Sequence, residues 1–462
     1  MSCRNKSNLA VDLPKQLIDS LANVKGFDKA AFEAVHTSGE QVTSIRLNPF
    51  KPSDVLNEYR SSQVPWCNHG FYLNARPSFT MDPLFHAGAY YVQEASSMFL
   101  QHAINELIPG PKKGLKVLDL CAAPGGKTTL LASIFTEGLV VSNEVIKSRA
   151  AILVENTTKW GLPNMVVTNN DPDHFKDFVG YFDVIVVDAP CSGSGLFRKD
   201  PQAIEEWSEQ NVIHCSERQE RILASIIPCL KQDGILLYST CSYSEAEDES
   251  IADWIVDQMN MESCPIKTDP SWNIVTTQSP QKQAWGYRFY PYLVKGEGFY
   301  LAAFKQQQNQ FGGRLKEVPL TKLTKTEIAA LDPYIVNDLS AAYFKQNNAI
   351  RRVSAPFLST IQELAGRLYI KKAGIEIGEF KGNALIPSHE WAVSVLPKNG
   401  FSILPVSKEQ ALHFLKRGNF MPDNASIGWN WVQFEGVVLG LVKVLPNRIN
   451  NYYPAEWRIL KD

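Results

Sequence analysis

The chain has 462 residues, of which 44% are hydrophobic and 20% are charged. These proportions are typical of a soluble globular protein, and the length allows two to four domains. The 46 Lys and Arg residues nearly balance the 48 Asp and Glu residues, so the formal net charge is only -2. A protein-wide basic field is therefore absent, and any binding of nucleic acid has to rely on local patches.

Two further sequence features exclude whole classes of protein. No segment resembles a transmembrane span, and the N-terminus has no apolar signal core. The eight cysteines are scattered without a CxxC pair, which argues against structural zinc and against a disulfide scaffold. We therefore expect a cytoplasmic protein with free thiols, no metal site and no membrane association. Small buried thiols are the ordinary interpretation for Cys3, Cys67, Cys215, Cys229 and Cys264.

The first part of the chain, to about residue 110, predicts an α-rich N-terminal extension with short strands. One helix begins at residues 13–14, and its apolar positions have helical spacing. A second helix is predicted over 27–35. Residues 44–49 predict a short strand that stops at a proline, and the segment 86–98 ends in a helix.

The pattern changes between residues 111 and 305, where short apolar runs alternate with helix-length amphipathic stretches. This alternation is the signature of βαβ units and predicts an α/β fold with a doubly wound sheet. A last run, 298–304, predicts an edge strand. The other runs are 115–120, 139–142, 165–168, 182–187 and 235–238.

The remaining sequence predicts a linker and two smaller domains. Residues 306–313 are polar and contain glycine, which is typical of a linker. Residues 314–378 mix helix and strand signals and predict a small α/β linker domain. From residue 380 to 462 the strands are short and turns are frequent, which predicts a β-rich, barrel-like module. We therefore expect four domains, at 1–110, 111–305, 314–378 and 380–462.

A glycine-bearing loop follows the strand predicted over 115–120 and precedes a helix. Glycines let backbone amides approach a ligand, and the helix presents its N-terminus to it. The loop has neither the Walker A spacing nor the GxGxxG fingerprint of dinucleotide-binding proteins, so a plain tight turn is the alternative. Its residues are Cys121, Ala122, Ala123, Pro124, Gly125, Gly126 and Lys127.

Two acidic residues strengthen the case for a ligand at this loop. Glu144 closes the second strand, where a ribose-binding acid belongs in a nucleotide-binding half. Asp171 closes the third strand, where a carboxylate can accept a hydrogen bond from an exocyclic amine such as that of adenine. Each acid alone could be a solvated loop charge, but three strand-end groups in register predict adenosyl binding.

Two more predicted strands are each followed by a cysteine. Cys191 lies three residues after Asp188, and Cys241 follows the strand at 235–238. In an open parallel sheet, chemistry takes place beyond the carboxyl ends of the strands, so two thiols there indicate covalent chemistry. The acids at 245–249 suit the first turn of a helix, whose N-terminus would favour the thiolate of Cys241. The alternative is that each cysteine is a small buried residue.

The sequences CAAPGGKT at 121–128, DAPCSGSG at 188–195 and YSTCS at 238–242 together resemble the Nop/Sun family of RNA cytosine-5 methyltransferases. The match extends upstream to 46–49 and downstream to 296–299, so it covers about the first 305 residues. The C-terminal part, at 428–429 and 445–454, is similar to the bacterial F-type subgroup, which methylates 16S ribosomal RNA.

The resemblance implies a Rossmann-like methyltransferase domain that uses S-adenosylmethionine. It implies that Cys241 is the nucleophile and that Cys191 is needed to release the product. It also places Lys127 and Asp188 near the target base. The cofactor-binding residues that it implies are Cys121, Ala122, Ala123, Pro124, Gly125, Gly126, Lys127, Glu144, Arg149, Asp171 and Asp188.

The resemblance further implies an RNA substrate, 16S rRNA or the small ribosomal subunit, a monomeric enzyme and a PUA-like C-terminal domain. The chemistry requires an unstacked cytosine. Arg198 and Lys199 are candidate phosphate contacts, whereas Phe197 could be a core residue. The C-terminal module has aromatic and basic side chains that could stack on bases and contact RNA, and about half of the aromatic ones should be core residues. These candidates are Trp429, Trp431, Arg448, Tyr452, Tyr453, Trp457 and Arg458.

Three other functions remain as alternatives. The same chemistry could act on transfer RNA, although the C-terminal resemblance favours ribosomal RNA. A non-catalytic RNA-binding or ribosome-assembly factor is a second alternative, and the intact residues Cys191, Cys241, Lys127 and Asp188 argue against it. A nicotinamide oxidoreductase is disfavoured because the GxGxxG fingerprint is missing and the thiols are paired.

Overall fold

The computed structural model describes residues 13–335, 340–382, 384–418, 422 and 425–460. The α-helices in these ranges are α1 Lys15–Leu21, α2 Lys29–Thr37, α3 Pro83–His86, α4 Phe99–Leu107, α5 Gly126–Ile134, α6 Lys147–Trp160, α7 Gln202–Glu206, α8 Glu209–Ile226, α9 Glu249–Gln258, α10 Lys325–Leu331, α11 Leu358–Ala365, α12 His389–Val393 and α13 Lys408–Leu415.

The strands in the same ranges are β1 Ser44–Leu47, β2 Arg60–Gln63, β3 Gly70–Leu73, β4 Tyr90–Val92, β5 Lys116–Asp119, β6 Leu139–Asn143, β7 Met165–Thr168, β8 Phe182–Asp188, β9 Leu230–Thr240, β10 Met261–Ser263, β11 Val275–Gln278, β12 Trp285–Phe289, β13 Phe299–Gln306, β14 Ala341–Gln346, β15 Ala349–Ser354, β16 Ile370–Ala373, β17 Ile375–Lys381, β18 Ala384–Pro387, β19 Ser402–Pro405, β20 Gly428–Phe434, β21 Val437–Leu445 and β22 Arg448–Asn451.

The chain divides into two compact units, and neither is continuous in sequence. The first unit comprises residues 1–43, 94–109 and 178–312, and the second unit comprises 44–93, 110–177 and 313–462. All six apolar runs of the region 111–305 form strands, with helices between them. The predicted alternation of strands and helices is therefore confirmed.

The first unit is built on the parallel pair β8 and β9, in which Asp188 lies opposite Ser239. Strand β13 pairs antiparallel with β9 on one side and with β12 on the other, and β12 continues to β11. The sequence-based expectation that 298–304 is an edge strand is therefore wrong. The run from Phe299 to Phe304 is buried throughout, because an uninterrupted apolar run is typical of a strand covered on both faces.

The N-terminal helices of the first unit form where the apolar spacing predicts them. Leu17, Ile18 and Leu21 of α1 are buried in a cluster with Phe32 of α2. The Asp28 side chain begins α2 by accepting a hydrogen bond of 3.0 Å from the backbone N–H of Ala31, which satisfies one of the amides left open at a helix start.

The second unit contains the parallel strands β5, β6 and β7, with β16 antiparallel at the side of β7. Its residues 44–92 also form a four-stranded antiparallel sheet in the order β2-β3-β1-β4. The sequence predicted short strands in this α-rich extension but located only one of them, at 44–49, and missed the sheet. The reason is that its strands are only three or four residues long, too short for a clear period-two pattern.

The C-terminal part of the second unit contains two further sheets, β14-β15-β17-β18 and β19-β20-β21-β22. Strand β17 runs through residues 378–380, where the sequence suggested a boundary, and pairs with β15 and β18 on either side. The four-domain division otherwise stays a prediction. Trp431 of β20 is fully buried within this region. The centroid of its ring lies 5.0 Å from that of Trp391, and the two ring planes are at 81° to each other.

The cysteines outside the two thiol loops mostly follow the expectation. Cys67, Cys215 and Cys229 are buried and free. Cys264 is only half-buried, contrary to the expectation, because it follows the short strand β10 in a segment that lies at the surface. Cys3 lies outside the described residues. In the ranges that the structure describes, no helix is long and apolar enough to cross a membrane.

The buried tryptophan of β20 generates a stability prediction. We expect Trp431→Ala to destabilise the fold by about 3–5 kcal/mol, because the substitution removes a large buried ring and leaves a cavity. Trp429→Ala is the matched control, since Trp429 lies on the same strand but is only half-buried. Differential scanning fluorimetry should show a clearly larger fall in melting temperature for Trp431→Ala, and equal falls would contradict the assignment of Trp431 to the core.

Candidate active site

Two thiols of the first unit lie side by side beyond neighbouring strand ends. Cys191 comes three residues after β8, and Cys241 directly follows β9. Their Sγ atoms are 3.1 Å apart, and both residues are half-buried. The hydrogen bond with Cys241, together with burial, raises the pKa of Cys191 well above its usual range. The predicted pairing of the thiols is therefore present, and Cys191 keeps its proton at neutral pH.

Asp188 is the last residue of β8 and lies at the same strand ends. Its Oδ1 accepts a hydrogen bond of 2.7 Å from the Oγ of Ser239 on β9. The side chain is half-buried, and this hydrogen bond holds it against the neighbouring strand β9. The structure thus brings Asp188, Cys191 and Cys241 together, as the sequence predicts.

A buried carboxylate connects the two thiol loops. Glu247 is fully buried and accepts hydrogen bonds from the backbone N–H of Ser192 at 2.7 Å and from its Oγ at 2.6 Å. The Oγ of Ser242 donates to the same carboxylate at 2.6 Å. Burial raises the pKa of Glu247. Since Ser192 follows Cys191 and Ser242 follows Cys241, one carboxylate contacts the residues next to both sulfurs.

The other acids after Cys241 are mostly buried and paired, rather than exposed in the first turn of a helix. The helix α9 begins only at Glu249, after a 3-10 turn over Glu245–Glu247. The buried guanidinium of Arg288 donates to Glu249 at 2.8 Å and lies 3.1 Å from Asp248. The sequence-based expectation that the acids at 245–249 lie in the first turn of a helix holds only for Glu249, because the earlier acids precede α9, and Glu247 and Asp248 among them are buried. Only Glu245 is exposed among them.

A glycine allows the loop that follows β8 and carries Cys191, residues 189–195 (the Cys191 loop), to pack closely against the loop that begins at Cys241 (the Cys241 loop). The N–H of Gly195 donates to the carbonyl of Cys241 at 2.8 Å. A Cβ atom at this position would lie 2.5 Å from the carbonyl oxygen of Gly298 and 2.7 Å from that of Cys241. No side chain fits there without moving backbone, so the glycine lets the two loops approach each other.

The basic pair after the Cys191 loop only partly matches the expectation. The side chain of Arg198 is 5% exposed, lies 3.5 Å from Glu297 and donates to the carbonyl of Gly296 at 3.1 Å. Its expected role as a phosphate contact is therefore wrong, because the guanidinium is buried in an internal ion pair. Lys199 is 35% exposed, and its phosphate contact stays a prediction. Phe197 is a core residue, 1% exposed.

The predicted cofactor loop lies in the second unit and leads into α5. Gly125 precedes this helix with a φ of +114°, a left-handed conformation that favours glycine. The N–H of Ala122 donates to the carbonyl of Asn143 at 2.9 Å, and Arg149 donates to the carbonyl of Ala123 at 2.8 Å. Arg149 therefore lies beside the loop, as the sequence predicts.

The other loop residues take the positions that the strand-loop-helix pattern predicts. Lys127 lies in the first turn of α5 and is half-buried, like Cys121 at the start of the loop. Gly126 begins the helix, Ala122 is buried, and Pro124 is exposed.

The two predicted acids end neighbouring strands of the same unit. Glu144 follows β6, is almost fully buried, and accepts a hydrogen bond of 2.9 Å from the N–H of Ile146. Asp171 comes after β7, and its Oδ1 accepts one of 3.0 Å from the N–H of Asp173. An ionised carboxylate has about four acceptor sites, so each can accept a further donor. The pair fits the hydroxyl and amine donors of an adenosyl group, and the start of α5 supplies backbone amides.

A buried arginine that the sequence-based search for site residues missed holds the start of α5. Arg46 donates to Thr129 Oγ1 at 2.6 Å, to the carbonyl of Gly126 at 3.1 Å and to Gln93 Oε1 at 2.7 Å. Its guanidinium also lies 4.4 Å from the ring centroid of Trp160. Burial lowers the pKa of Arg46 to about 10, so it stays charged. The only signal in the sequence was the family-like segment 46–49.

The C-terminal aromatic residues divide between core and surface. Trp431 and Tyr453 are fully buried. Trp429 and Tyr452 contact each other with ring centroids 4.5 Å apart, and the ammonium group of Lys443 lies 5.3 Å from the Trp429 ring. Tyr452 is 37% exposed. The candidate RNA contacts that remain accessible, wholly or in part, are Trp429, Arg448, Tyr452, Trp457 and Arg458.

Comparison with known protein families accounts for most of the chain. The model of the family described as 16S rRNA methyltransferase RsmB/F matches residues 107–305. The N-terminal domain of 16S rRNA methyltransferase RsmF matches 13–95, and the methyltransferase RsmF PUA domain matches 401–459. The chain is 30% identical to the ribosomal RNA small subunit methyltransferase F of Psychromonas ingrahamii over 441 residues, which cover 89% of this chain and 90% of the relative. The chain belongs to this methyltransferase family.

Other relatives agree with this membership. The protein of the same description from Aliivibrio salmonicida is 29% identical over 433 residues, covering 89% of this chain and 90% of the relative. A methyltransferase homologue from Pyrococcus horikoshii is 28% identical and superimposes with a TM-score of 0.50, covering 64% of this chain and 100% of that one. NSun6 from the same organism, solved with SFG, has a TM-score of 0.52 at 18% identity over 64% and 99% of the two chains, which shows a common fold.

Family membership confirms several predictions made from the sequence. The chain has the α/β fold of S-adenosylmethionine-dependent methyltransferases with a C-terminal PUA domain. It is an rRNA methyltransferase that uses S-adenosylmethionine as its cofactor, with RNA as its substrate.

The acid after β6 allows a direct test of the cofactor site. We expect Glu144→Ala to weaken S-adenosylmethionine binding by about 1–3 kcal/mol, because a charged hydrogen-bond acceptor is lost. Isothermal titration calorimetry measures this change. Asp173→Ala is the control, since Asp173 is an exposed acid in the neighbouring strand-end segment and should leave the affinity unchanged. Unchanged affinity for Glu144→Ala would remove this residue from the cofactor site.

Proposed function

We propose that this chain methylates carbon 5 of a cytosine in 16S rRNA through a covalent adduct with Cys241. The observation that supports this chemistry most directly is the 3.1 Å approach of the Cys191 and Cys241 sulfurs at the ends of β8 and β9. Carbon 5 of cytosine is a poor nucleophile, and an enzyme has to activate the ring before it can be methylated. One thiol can make this activation while the second assists release.

In the first step the Cys241 thiolate adds to carbon 6 of the cytosine and forms the C6–S bond. The electron pair of the C5–C6 double bond moves so that carbon 5 becomes nucleophilic. Asp188, fixed by Ser239, accepts a hydrogen bond from the amine or the protonated ring nitrogen and so stabilises the adduct. When bound, S-adenosylmethionine would supply an electrophilic methyl group to carbon 5, with the bond between that methyl group and the positively charged sulfur breaking and S-adenosylhomocysteine leaving as a neutral thioether.

The second thiol then reverses the addition. Cys191 takes the proton from carbon 5, directly or through water; the electrons of that C–H bond restore the C5–C6 double bond, and the C6–S bond breaks with its electrons returning to Cys241. Cys191 first has to lose its own proton to water. The sulfur of Cys241 in the adduct is an uncharged thioether, so the hydrogen bond that contributes most to the raised pKa of Cys191 is weakened when the base is needed.

The remaining site residues have supporting roles in this proposal. Residues 121–127, Glu144, Arg149 and Asp171 bind the cofactor, with Asp188 contributing from β8. Lys127 provides a polar contact near the target base. These assignments rest on the strand-end positions of the residues and on the family resemblance of the motifs around them.

The substrate part of the proposal rests on the relatives, whose names refer to the ribosomal RNA small subunit. We propose that the PUA domain and the N-terminal extension bind 16S rRNA, that the enzyme acts in the cytoplasm as a monomer, and that the small ribosomal subunit is its partner. Bisulfite mapping of ribosomal RNA from cells with and without this chain would test the substrate. A lost 5-methylcytosine in 16S rRNA is expected, and a loss confined to transfer RNA would contradict the proposal.

The two thiols should give opposite results when each is replaced. Cys241→Ala should neither methylate RNA nor form an adduct, because no sulfur attacks carbon 6. Cys191→Ala should attack and transfer the methyl group but then stall, because the carbon 5 proton is not removed. With labelled RNA and S-adenosylmethionine, a denaturing gel should show a slowly migrating covalent band for Cys191→Ala.

The double variant is the control for this experiment, and its band should disappear. A band with Cys241→Ala and none with Cys191→Ala would mean that the roles are reversed. Normal methylation by both single variants would contradict covalent catalysis altogether and would leave RNA binding without this chemistry as the function of the site.

The raised pKa of Cys191 predicts the direction of a pH effect. In the adduct the hydrogen bond with Cys241 is weakened, but burial still raises the pKa of Cys191, so the thiolate that removes the carbon 5 proton is reached only at higher pH. We therefore expect release of the methylated RNA from the Cys241 adduct to accelerate as pH rises above neutrality. Rapid-quench measurement of adduct decay at several pH values checks this, and decay that slows with rising pH would contradict the role of Cys191 as base.

A further inference from the structure

We infer that Glu247 is a positioning residue that holds the Cys191 loop in place for release of the methylated RNA. This inference rests on the proposed division of labour between the thiols. Glu247 does not touch either sulfur through a hydrogen bond; it acts through Ser192, which follows Cys191, and through Ser242, which follows Cys241. It lies outside the CAAPGGKT, DAPCSGSG and YSTCS segments that carry the family resemblance.

The contacts of Glu247 are stronger with one loop than with the other. The Cys191 loop gives the carboxylate both the backbone N–H and the hydroxyl of Ser192. Gln219, whose amide is 3.5 Å from the carboxylate, also donates to the carbonyl of Pro190 at 3.0 Å. The Cys241 loop gives only the Ser242 hydroxyl. Hydrogen bonds to a buried charged acceptor are among the stronger ones in proteins, so loss of the carboxylate releases mainly the Cys191 loop.

The Cys241 loop has other support. The carbonyl of Cys241 accepts a hydrogen bond of 2.8 Å from the N–H of Gly195. The N–H of Ser242 donates to Thr240 Oγ1 at 3.2 Å, and the N–H of Tyr243 donates to Ser194 Oγ at 2.9 Å. Two of these contacts come from Ser194 and Gly195 of the Cys191 loop, but Cys241 itself follows β9 directly, whereas Cys191 comes three residues after β8. Loss of Glu247 should therefore displace the releasing thiol more than the nucleophile. Removing Glu247 should slow release more than attack and leave RNA attached to Cys241.

Two serines give a matched pair for the test. The hydroxyls of Ser192 and Ser242 each lie 2.6 Å from the same Oε2 atom of Glu247, so Ser192→Ala and Ser242→Ala each remove one hydroxyl bond to this carboxylate. Ser242→Ala also removes the acceptor of a 3.1 Å hydrogen bond from the N–H of Ser244. If Glu247 acts through the Cys191 loop, Ser192→Ala should accumulate adduct and Ser242→Ala should not. A merely structural role would affect both variants alike.

The experiment measures methylation and trapped adduct with the full chain, S-adenosylmethionine and 16S rRNA from cells that lack the protein. Glu247→Ala should lower kcat roughly 10- to 100-fold, because displacement of a reacting group by about 1 Å costs that much, with KM for RNA nearly unchanged and a covalent band present. Glu247→Gln should recover most of the rate, since an amide can still bridge the serines. Glu245→Ala is the control, an exposed acid of the same turn, and should behave as the unmodified chain.

The outcomes separate this inference from the proposed function. A band with Cys191→Ala and with Glu247→Ala supports both, and a band with Cys191→Ala but none with Glu247→Ala overturns the inference alone. If Cys191→Ala gives no band, the proposed thiol roles fail and the inference falls with them. Should Glu247→Ala not fold, judged by its circular dichroism, the serine pair decides: adduct with Ser192→Ala alone supports the inference, and equal behaviour of the two variants overturns it.

Discussion

The pairing register of β8 and β9 determines the geometry of the thiol site. Because Asp188 lies opposite Ser239 in a parallel pair, both strands end at the same edge, and the loops that follow them begin side by side. Cys191 and Cys241 are 50 residues apart in sequence, yet their sulfurs lie 3.1 Å apart. A shift of one residue in this register would turn every side chain of one strand to the opposite face. The buried apolar residues of both strands fix the register, so the packing of the core also positions the chemistry.

The buried acids around this site are stabilised in two different ways. Asp248 and Glu249 share the guanidinium of Arg288, while Glu247 has no ion pair among the described residues and relies on hydroxyl and amide donors. An uncompensated buried carboxylate is costly, and hydrogen bonds to its oxygens reduce that cost. The raised pKa of Glu247 shows that burial outweighs these donors. An acid of this kind holds its neighbours only while its donors stay in place, which is why the serines beside both cysteines belong to the site.

Much of the fold and part of the site could be predicted from the sequence because they depend on local patterns. The strands at 165–168 and 182–187, the strand-end acids Glu144 and Asp171, and the convergence of the two thiols all follow from alternating apolar runs and the rule that parallel strands end at one edge. Two of the failures depend on partners far away in sequence. Arg198 was expected at the surface but is buried against Glu297, and the strand 298–304 was expected at an edge but lies between β9 and β12.

The two functional loops are supported by the same physical means. Arg46 holds the first turn of α5 through Gly126 and Thr129, and Glu247 holds the thiol loops through Ser192 and Ser242. In each case a single buried charged side chain from outside the loop binds its backbone or its hydroxyls. Such a charge is costly to bury unless all its hydrogen bonds are made together, so it favours one loop conformation over the alternatives. A reacting group must be held in place before its substrate arrives, and a buried charge with several fixed partners does this more firmly than apolar contacts, which are not directional.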